Sequence, residues 1–154
     1  MSEEWKVPVD NAEDKSKMVL VWRKDLKVPK GKIGAQLAHA AVGATIQALY
    51  KKRLEFSDFD LLEEGYYELP IPELVDTATR DWLAGEFTKI TVSVENLEEL
   101  EAIEAKAKEA DLNVVKITDN GHTCFDGVPT VTCLAIGPAY ASQLDPITGN
   151  LKLF

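Results

Sequence analysis

Apolar residues in this chain alternate between short strand-length runs and longer stretches with helical spacing, the pattern of strands interleaved with helices. Met18-Val-Leu-Val-Trp22 is uninterrupted and predicts a central strand buried on both faces. Arg23–Lys30 reads as a loop, closed by Pro29. From Gly31 to about Lys52, residues Ile33, Leu37, Ala40, Ala41, Ala44 and Ala48 recur at three- and four-residue spacing, predicting a long helix. Its alanine-rich side suits close approach to a sheet.

Leu54–Asp76 mixes acids with Phe56, Phe59, Tyr66 and Tyr67 and reads as a surface insertion. A short helix is expected over Thr79–Ala84, and the clean alternation of Thr88–Val94 predicts a half-buried strand. Asn96 followed by Glu99 marks a capped helix start, with Leu97, Leu100, Ile103 and Ala107 carrying the helix to about Ala110. Val114–Thr118 and Val131–Ile136 are two further strands around an Asp119–Pro129 loop, the second ending at Gly137-Pro138. A short helix near Ala139–Leu144 and a Leu151–Phe154 segment follow. Residues 1–16 are polar and unpatterned and read as a loose tail. The order gives one α/β domain over 17–154, with an acidic insertion at about 54–76. Its four strands are joined partly through helical crossovers, the last two as a hairpin.

Composition alters this picture only in its charge. At 154 residues, 45% hydrophobic and 28% charged, the chain is an ordinary globular domain. No window approaches the roughly 18 apolar residues of a membrane span. The N-terminus has neither the basic nor the apolar part of a secretory signal, so a cytoplasmic protein without membrane contact is expected. The formal net charge is -9, yet Trp22–Arg53 holds eight Lys/Arg against one Asp, and Leu54–Asp76 holds eight Asp/Glu and no base. Cys124 and Cys133 match no zinc spacing and no disulfide framework, and with only His39 and His122 available no metal site is expected. Cys133, in an apolar strand, reads as core.

The basic block coincides with a strand-to-helix turn, Lys30-Gly-Lys-Ile-Gly-Ala-Gln-Leu-Ala-His-Ala40. A helix N-terminus carries unsatisfied N–H groups and partial positive charge, so lysines there focus an anion site. It is not a Walker loop: Leu26 stands where glycine is required and Ile33 where Ser or Thr is required. A second cluster, Asp119-Asn-Gly-His-Thr123, also follows a strand, and open α/β sheets place ligands at the carboxyl ends of their strands. If the first and third strands are parallel neighbours, the two loops converge. Lys32, Asp119, Thr123 and Thr132 then surround one reaction centre suited to hydrolysis of an activated ester. Asp119 would accept a proton from water, Lys32 would stabilise an oxyanion, and the threonines would orient water or a carbonyl. No Ser-His-Asp or Cys-His arrangement is legible.

These motifs, followed by Leu134-Ala-Ile-Gly-Pro138 and Thr148-Gly-Asn-Leu-Lys-Leu153, resemble the archaeal/eukaryotic-type peptidyl-tRNA hydrolase family over about residues 17–53 and 79–154. The resemblance implies a mixed four-stranded sheet flanked by helices. It also implies cleavage of the ester joining a peptide to the 3′ end of tRNA, without metal or organic cofactor. By motif position it puts the family's functional lysine on Lys32, its aspartate on Asp119 and its threonines on Thr123 and Thr132, with Thr130 as the alternative to Thr132. Gln36, His39 and His122 lie within the same motifs as candidate substrate-side residues, with His39 read as a helix residue packed beneath the site. Arg23, Lys24, Lys27 and Lys30 are expected to meet tRNA phosphates. The chain departs from the family at Cys124, where glutamine is usual, and in the Phe125–Thr130 loop, one residue longer than usual.

Two other functions compete with the enzyme: a non-catalytic RNA- or protein-binding module on the same scaffold, and a hydrolase of small aminoacyl or phosphorylated metabolites. Intact Lys32, Asp119 and Thr123 favour an enzyme over a scaffold without turnover. The acidic insertion leaves room for a protein partner, and the alanine-rich helix for a homodimer.

Overall fold

A computed structural model describes residues 14–56 and 75–154. The bulk of the acidic insertion and the first part of the expected tail lie outside them. Strand β1 (Ser16–Arg23) leads to helix α1 (Lys30–Phe56), helix α2 (Thr77–Ala84), strand β2 (Lys89–Val94) and helix α3 (Leu97–Glu109). Strands β3 (Val114–Asp119) and β4 (Thr130–Tyr140), helix α4 (Ala141–Thr148) and strand β5 (Lys152–Leu153) complete the order. Among the described residues no helix is long and apolar enough to cross a membrane.

The sheet is mixed, in the order β3-β4-β1-β2-β5, so it has five strands where the sequence predicts four. The additional strand is two residues long, too short to show alternation. Its ladder partners are Val92 and Ser93. β1 pairs parallel with β2 and antiparallel with β4, and β3 pairs antiparallel with β4. β1 and β3 are therefore not neighbours: they run in the same direction on either side of β4. Their carboxyl ends still reach one edge of the sheet.

β1 shows how the sequence builds three layers. Met18, Leu20 and Trp22 join Ala40, Ala41, Ala44 and Trp82 in a cluster under α1 and α2, while Val19 and Val21 join Leu100, Ile103, Leu144 and Ile147 under α3 and α4. An uninterrupted apolar run is what a strand covered on both faces requires. The small residues of α1 let it lie close: a methyl at Gly43 would come within 3.2 Å of Val115 Cγ1. At the start of β3, Asn113 Nδ2 donates to Ala44 O (2.8 Å) and Gly137 O (2.7 Å), and Asn113 Oδ1 accepts from Gln47 Nε2 (2.7 Å). That neutral clamp joins α1 to β3 and β4.

Asn96 caps α3 by accepting from Glu99 N, and Asp76 caps α2 by accepting from Thr79 N, each at 2.9 Å. β4 does not end at Gly137-Pro138. After an irregularity there, pairing with β1 resumes at Lys17–Ala139 and Ser16–Tyr140, so α4 starts at Ala141, later than expected. The same pairing draws residues 14–16 of the expected tail into the domain. Ser16 is buried in β1, and Asp14 accepts from Ser142 N and Ser142 Oγ at the start of α4.

Candidate active site

Two periodicities bring the site together. Side chains along β3 alternate, so Val115 and Ile117 pack toward α1 and Asp119, two further on, faces the same way. On α1, Lys32 and Gln36 are one helical turn apart and share a face. Lys32 Nζ donates to Asp119 Oδ1 at 2.9 Å and to Thr123 Oγ1 at 2.8 Å. Gln36 Nε2 donates to the same carboxylate oxygen at 3.2 Å. The residues forming these contacts are more than eighty positions apart in the chain.

The turn after β3 completes the carboxylate's surroundings. Asp119 Oδ2 accepts from Gly121 N at 3.1 Å, closing an Asx turn, and the backbone of Gly121 takes φ 83°. A methyl on Gly121 would also lie 2.2 Å from Val128 O, so glycine is obligatory here on two counts. Gly121 O then accepts from Phe125 N and Gly127 N, closing the loop on itself and leaving Thr123 exposed at its tip. The Lys32 hydrogen bond is the largest influence on Asp119. With help from the Gly121 and Gln36 donors, it holds the carboxyl below its ordinary range against the opposing effect of desolvation.

Thr132 is fully buried, and its hydroxyl donates to Gln36 Oε1 at 2.8 Å. Its orientation depends on a β-bulge. Ile117 pairs with Cys133 and Thr118 with Val131, so Thr132 is the extra residue on β4. Without the bulge, alternation from Cys133 would turn Thr132 toward α3 and α4. With it, Thr132 and Cys133 both meet α1, and Val131 packs into the opposite cluster. Cys133 is core, as its strand position predicts, and burial pushes its thiol up to about 11. Of the two candidate threonines, Thr132 joins the polar cluster; Thr130 Oγ1 instead donates to Val128 O at 2.9 Å.

The remaining sequence-predicted residues divide into two groups. Lys27, Lys30, His39 and His122 are exposed, so His39 lies on the solvent side of α1 and is not packed beneath the site. Arg23 and Lys24 differ from expectation because acids hold them. Lys24 Nζ lies 2.8 Å from Glu95 Oε1. Arg23 donates to both carboxylate oxygens of Asp25 (3.1 and 2.8 Å) and, through Nη1, to Val131 O at 2.8 Å. The sequence reading missed this fork; an Arg and an Asp two residues apart at a strand end were the available signal. Among the described residues, no group of three or more His, Cys, Asp and Glu could hold a metal ion.

An ammonium in contact with a carboxylate and a hydroxyl, open to solvent on one side and backed by a buried amide and hydroxyl, can orient a nucleophile and stabilise a developing oxyanion. The family model described as "Peptidyl-tRNA hydrolase PTH2" matches residues 16–154. The "Probable peptidyl-tRNA hydrolase 2" of Drosophila melanogaster is 39% identical over 140 residues, which cover 91% of this chain and 62% of the fly protein. Two archaeal proteins named "Peptidyl-tRNA hydrolase" are matched almost end to end. That of Sulfurisphaera tokodaii is 39% identical over 90% of this chain and 98% of its own length, and that of Thermoplasma volcanium 36% identical over 89% and 97%. With a match running from the first residue of β1 through the last strand, the chain belongs to the Peptidyl-tRNA hydrolase PTH2 family.

Proposed function

We propose that this chain hydrolyses the ester bond between peptide and tRNA in peptidyl-tRNA, releasing free tRNA by attack of water, and that Lys32, Asp119 and Thr123 touch the reacting atoms. The observation that carries this reading is the Lys32 ammonium, 2.9 Å from Asp119 Oδ1 and 2.8 Å from Thr123 Oγ1 on the exposed side of the cluster. Asp119 Oδ1 already accepts from Lys32 and Gln36, which fills its two lone-pair directions. Among the described residues Oδ2 accepts only from Gly121 N, which leaves one direction for a further donor. The attacking water is held there.

The depressed pKa of Asp119 makes it a weak proton acceptor at rest. As water adds to the ester carbonyl, negative charge grows on the carbonyl oxygen and draws the Lys32 ammonium toward it. Asp119 loses part of its stabilising partner at the moment a proton must leave the water, so its basicity rises when needed. Collapse of the tetrahedral intermediate expels the 3′ oxygen of tRNA, which takes up that proton. Thr123 orients the carbonyl or the water. Thr132, buried and bonded to Gln36, acts on Asp119 through that amide and not on substrate.

No metal or organic cofactor enters this scheme. Exposed Lys27 and Lys30 meet tRNA phosphates, so KM should rise with salt. The reaction is assigned to the cytoplasm. A dimer through α1 and a protein partner for the acidic segment are compatible with this function but are not needed for it. The test is release of peptide from peptidyl-tRNA by the wild-type protein and by Asp119→Asn. Equal rates would overturn the assignment of Asp119, and a wild-type protein without turnover would overturn the activity.

A further inference from the structure

We infer that Arg23, braced by Asp25, is a positioning residue: it holds the β4 bulge that turns Thr132 toward Gln36, and through Gln36 it sets the Asp119 carboxylate. Its place in the basic block suggests a phosphate contact, but its geometry does not. The guanidinium is occupied on both edges, with Nε and Nη2 on Asp25 and Nη1 on Val131 O. Its side chain is 13% exposed, against 41% for neighbouring Lys24.

The location of the third contact is what matters. Pairing between β1 and β4 stops at Trp22–Cys133, one residue before the bulge. Beyond that point only Arg23 is left of β1; its backbone pairs with Val94 of β2 and has no ladder partner on β4, and its side chain reaches across to the carbonyl of Val131 instead. The bulge is thus held by β3 on one side and by one guanidinium on the other. Arginine suits this task because its planar fork engages a carboxylate bidentately while a further N–H points elsewhere; lysine, a point charge on a flexible stem, cannot do both. If the bulge relaxes, strand parity turns Thr132 away, Gln36 Oε1 loses its donor, and the amide no longer has a fixed direction toward Asp119.

This inference rests on the proposed hydrolysis, so the experiment carries one readout that requires turnover and one that does not. Arg23→Lys, Arg23→Met and Asp25→Asn are compared with wild type in steady-state peptidyl-tRNA hydrolysis across salt and pH. The Gln36 side-chain amide resonances are followed by NMR in the free protein. A positioning role predicts that all three variants lose about tenfold or more in kcat with little change in KM. The salt slope of binding should stay unchanged, the acid limb of kcat/KM should rise, and the Gln36 amide should shift or broaden. Retained charge in Arg23→Lys should not rescue turnover.

A phosphate contact predicts the reverse: KM rises, the salt slope falls by about one, kcat survives in Arg23→Lys, and Asp25→Asn is nearly silent. That outcome would overturn the inference while leaving the activity intact. Should Arg23 variants fail to fold, Asp25→Asn decides. Its side chain is more exposed, it carries no positive charge to lose, and an unchanged kcat with an unmoved Gln36 amide would sink the proposal. Absence of turnover in wild type would refute the hydrolase reading alone, and the amide resonances would then decide the positioning role.

Discussion

Strand β3 is tied to helix α1 at both of its ends, and the two ties differ in chemistry. At the start, Asn113 joins Ala44 and Gly137 through neutral amide hydrogen bonds and is itself held by Gln47. At the finish, Asp119 joins Lys32 and Gln36 through an ion pair and a charge-assisted hydrogen bond, with Thr123 exposed beside them. Both ties satisfy polar groups that would otherwise be stranded between helix and sheet. Only the second combines unlike charges and a depressed carboxyl. The two ties are alike in hydrogen bonding and partial exposure and differ in charge.

Substitutions can break that comparison in order of expected effect on turnover. Asp119→Asn should lower kcat by at least about a hundredfold in peptide release from peptidyl-tRNA. A wild-type rate would make the acidic end merely another tether. Lys32→Met should cost about tenfold to a hundredfold and also change the pH profile. Because Lys32 is the chief cause of the lowered Asp119 pKa, wild type should keep its ionised carboxylate as pH falls through the ordinary carboxyl range. Without the ammonium the acid limb should move to higher pH. The same sign holds for stability: the Asp119 contribution is present above the unfolded-state pKa and fades as pH drops through the folded one.

Thr132→Val keeps the shape but leaves Gln36 Oε1 without its buried donor. It should lose several-fold in kcat, with a stability loss of about 1–2 kcal/mol in urea unfolding. Asn113→Ala should do the opposite, costing about 1–3 kcal/mol in the same titration while leaving kcat within about twofold of wild type. If Asn113→Ala damaged turnover as much as Thr132→Val, the two ends of β3 would not be functionally distinct.

Much of this was legible in the sequence because it depends on periodicity. The apolar run of β1, the alternation of β2 and the capped start of α3 report their own environments. The rule for strand ends brings the two loops to one sheet edge, although through strands on either side of β4 and not through the parallel neighbours expected. Lys32, Asp119 and Thr123 could be named for that reason. What escaped was non-local or too short. β5 has two residues and depends on β2 for its hydrogen bonds. β4 runs past Gly137-Pro138 because β1 offers further partners, which no local signal in β4 discloses. The position of β4 between β1 and β3 is likewise set by pairing. The expectation that Arg23 and Lys24 meet tRNA phosphates overlooks their acidic partners, Asp25 and Glu95, the second of them seventy-one residues away in sequence.

The extra residue in β4 also determines where a change of chain length would exchange the threonine that meets Gln36. Since the choice between Thr130 and Thr132 is made inside the strand, the hydroxyl that meets Gln36 is not selected by the length of the preceding loop, whose Gly121 and Thr123 are held by contacts of their own. Deleting one residue from Val131–Cys133 has no such shelter. It would send the hydroxyl-bearing position to the α3 side.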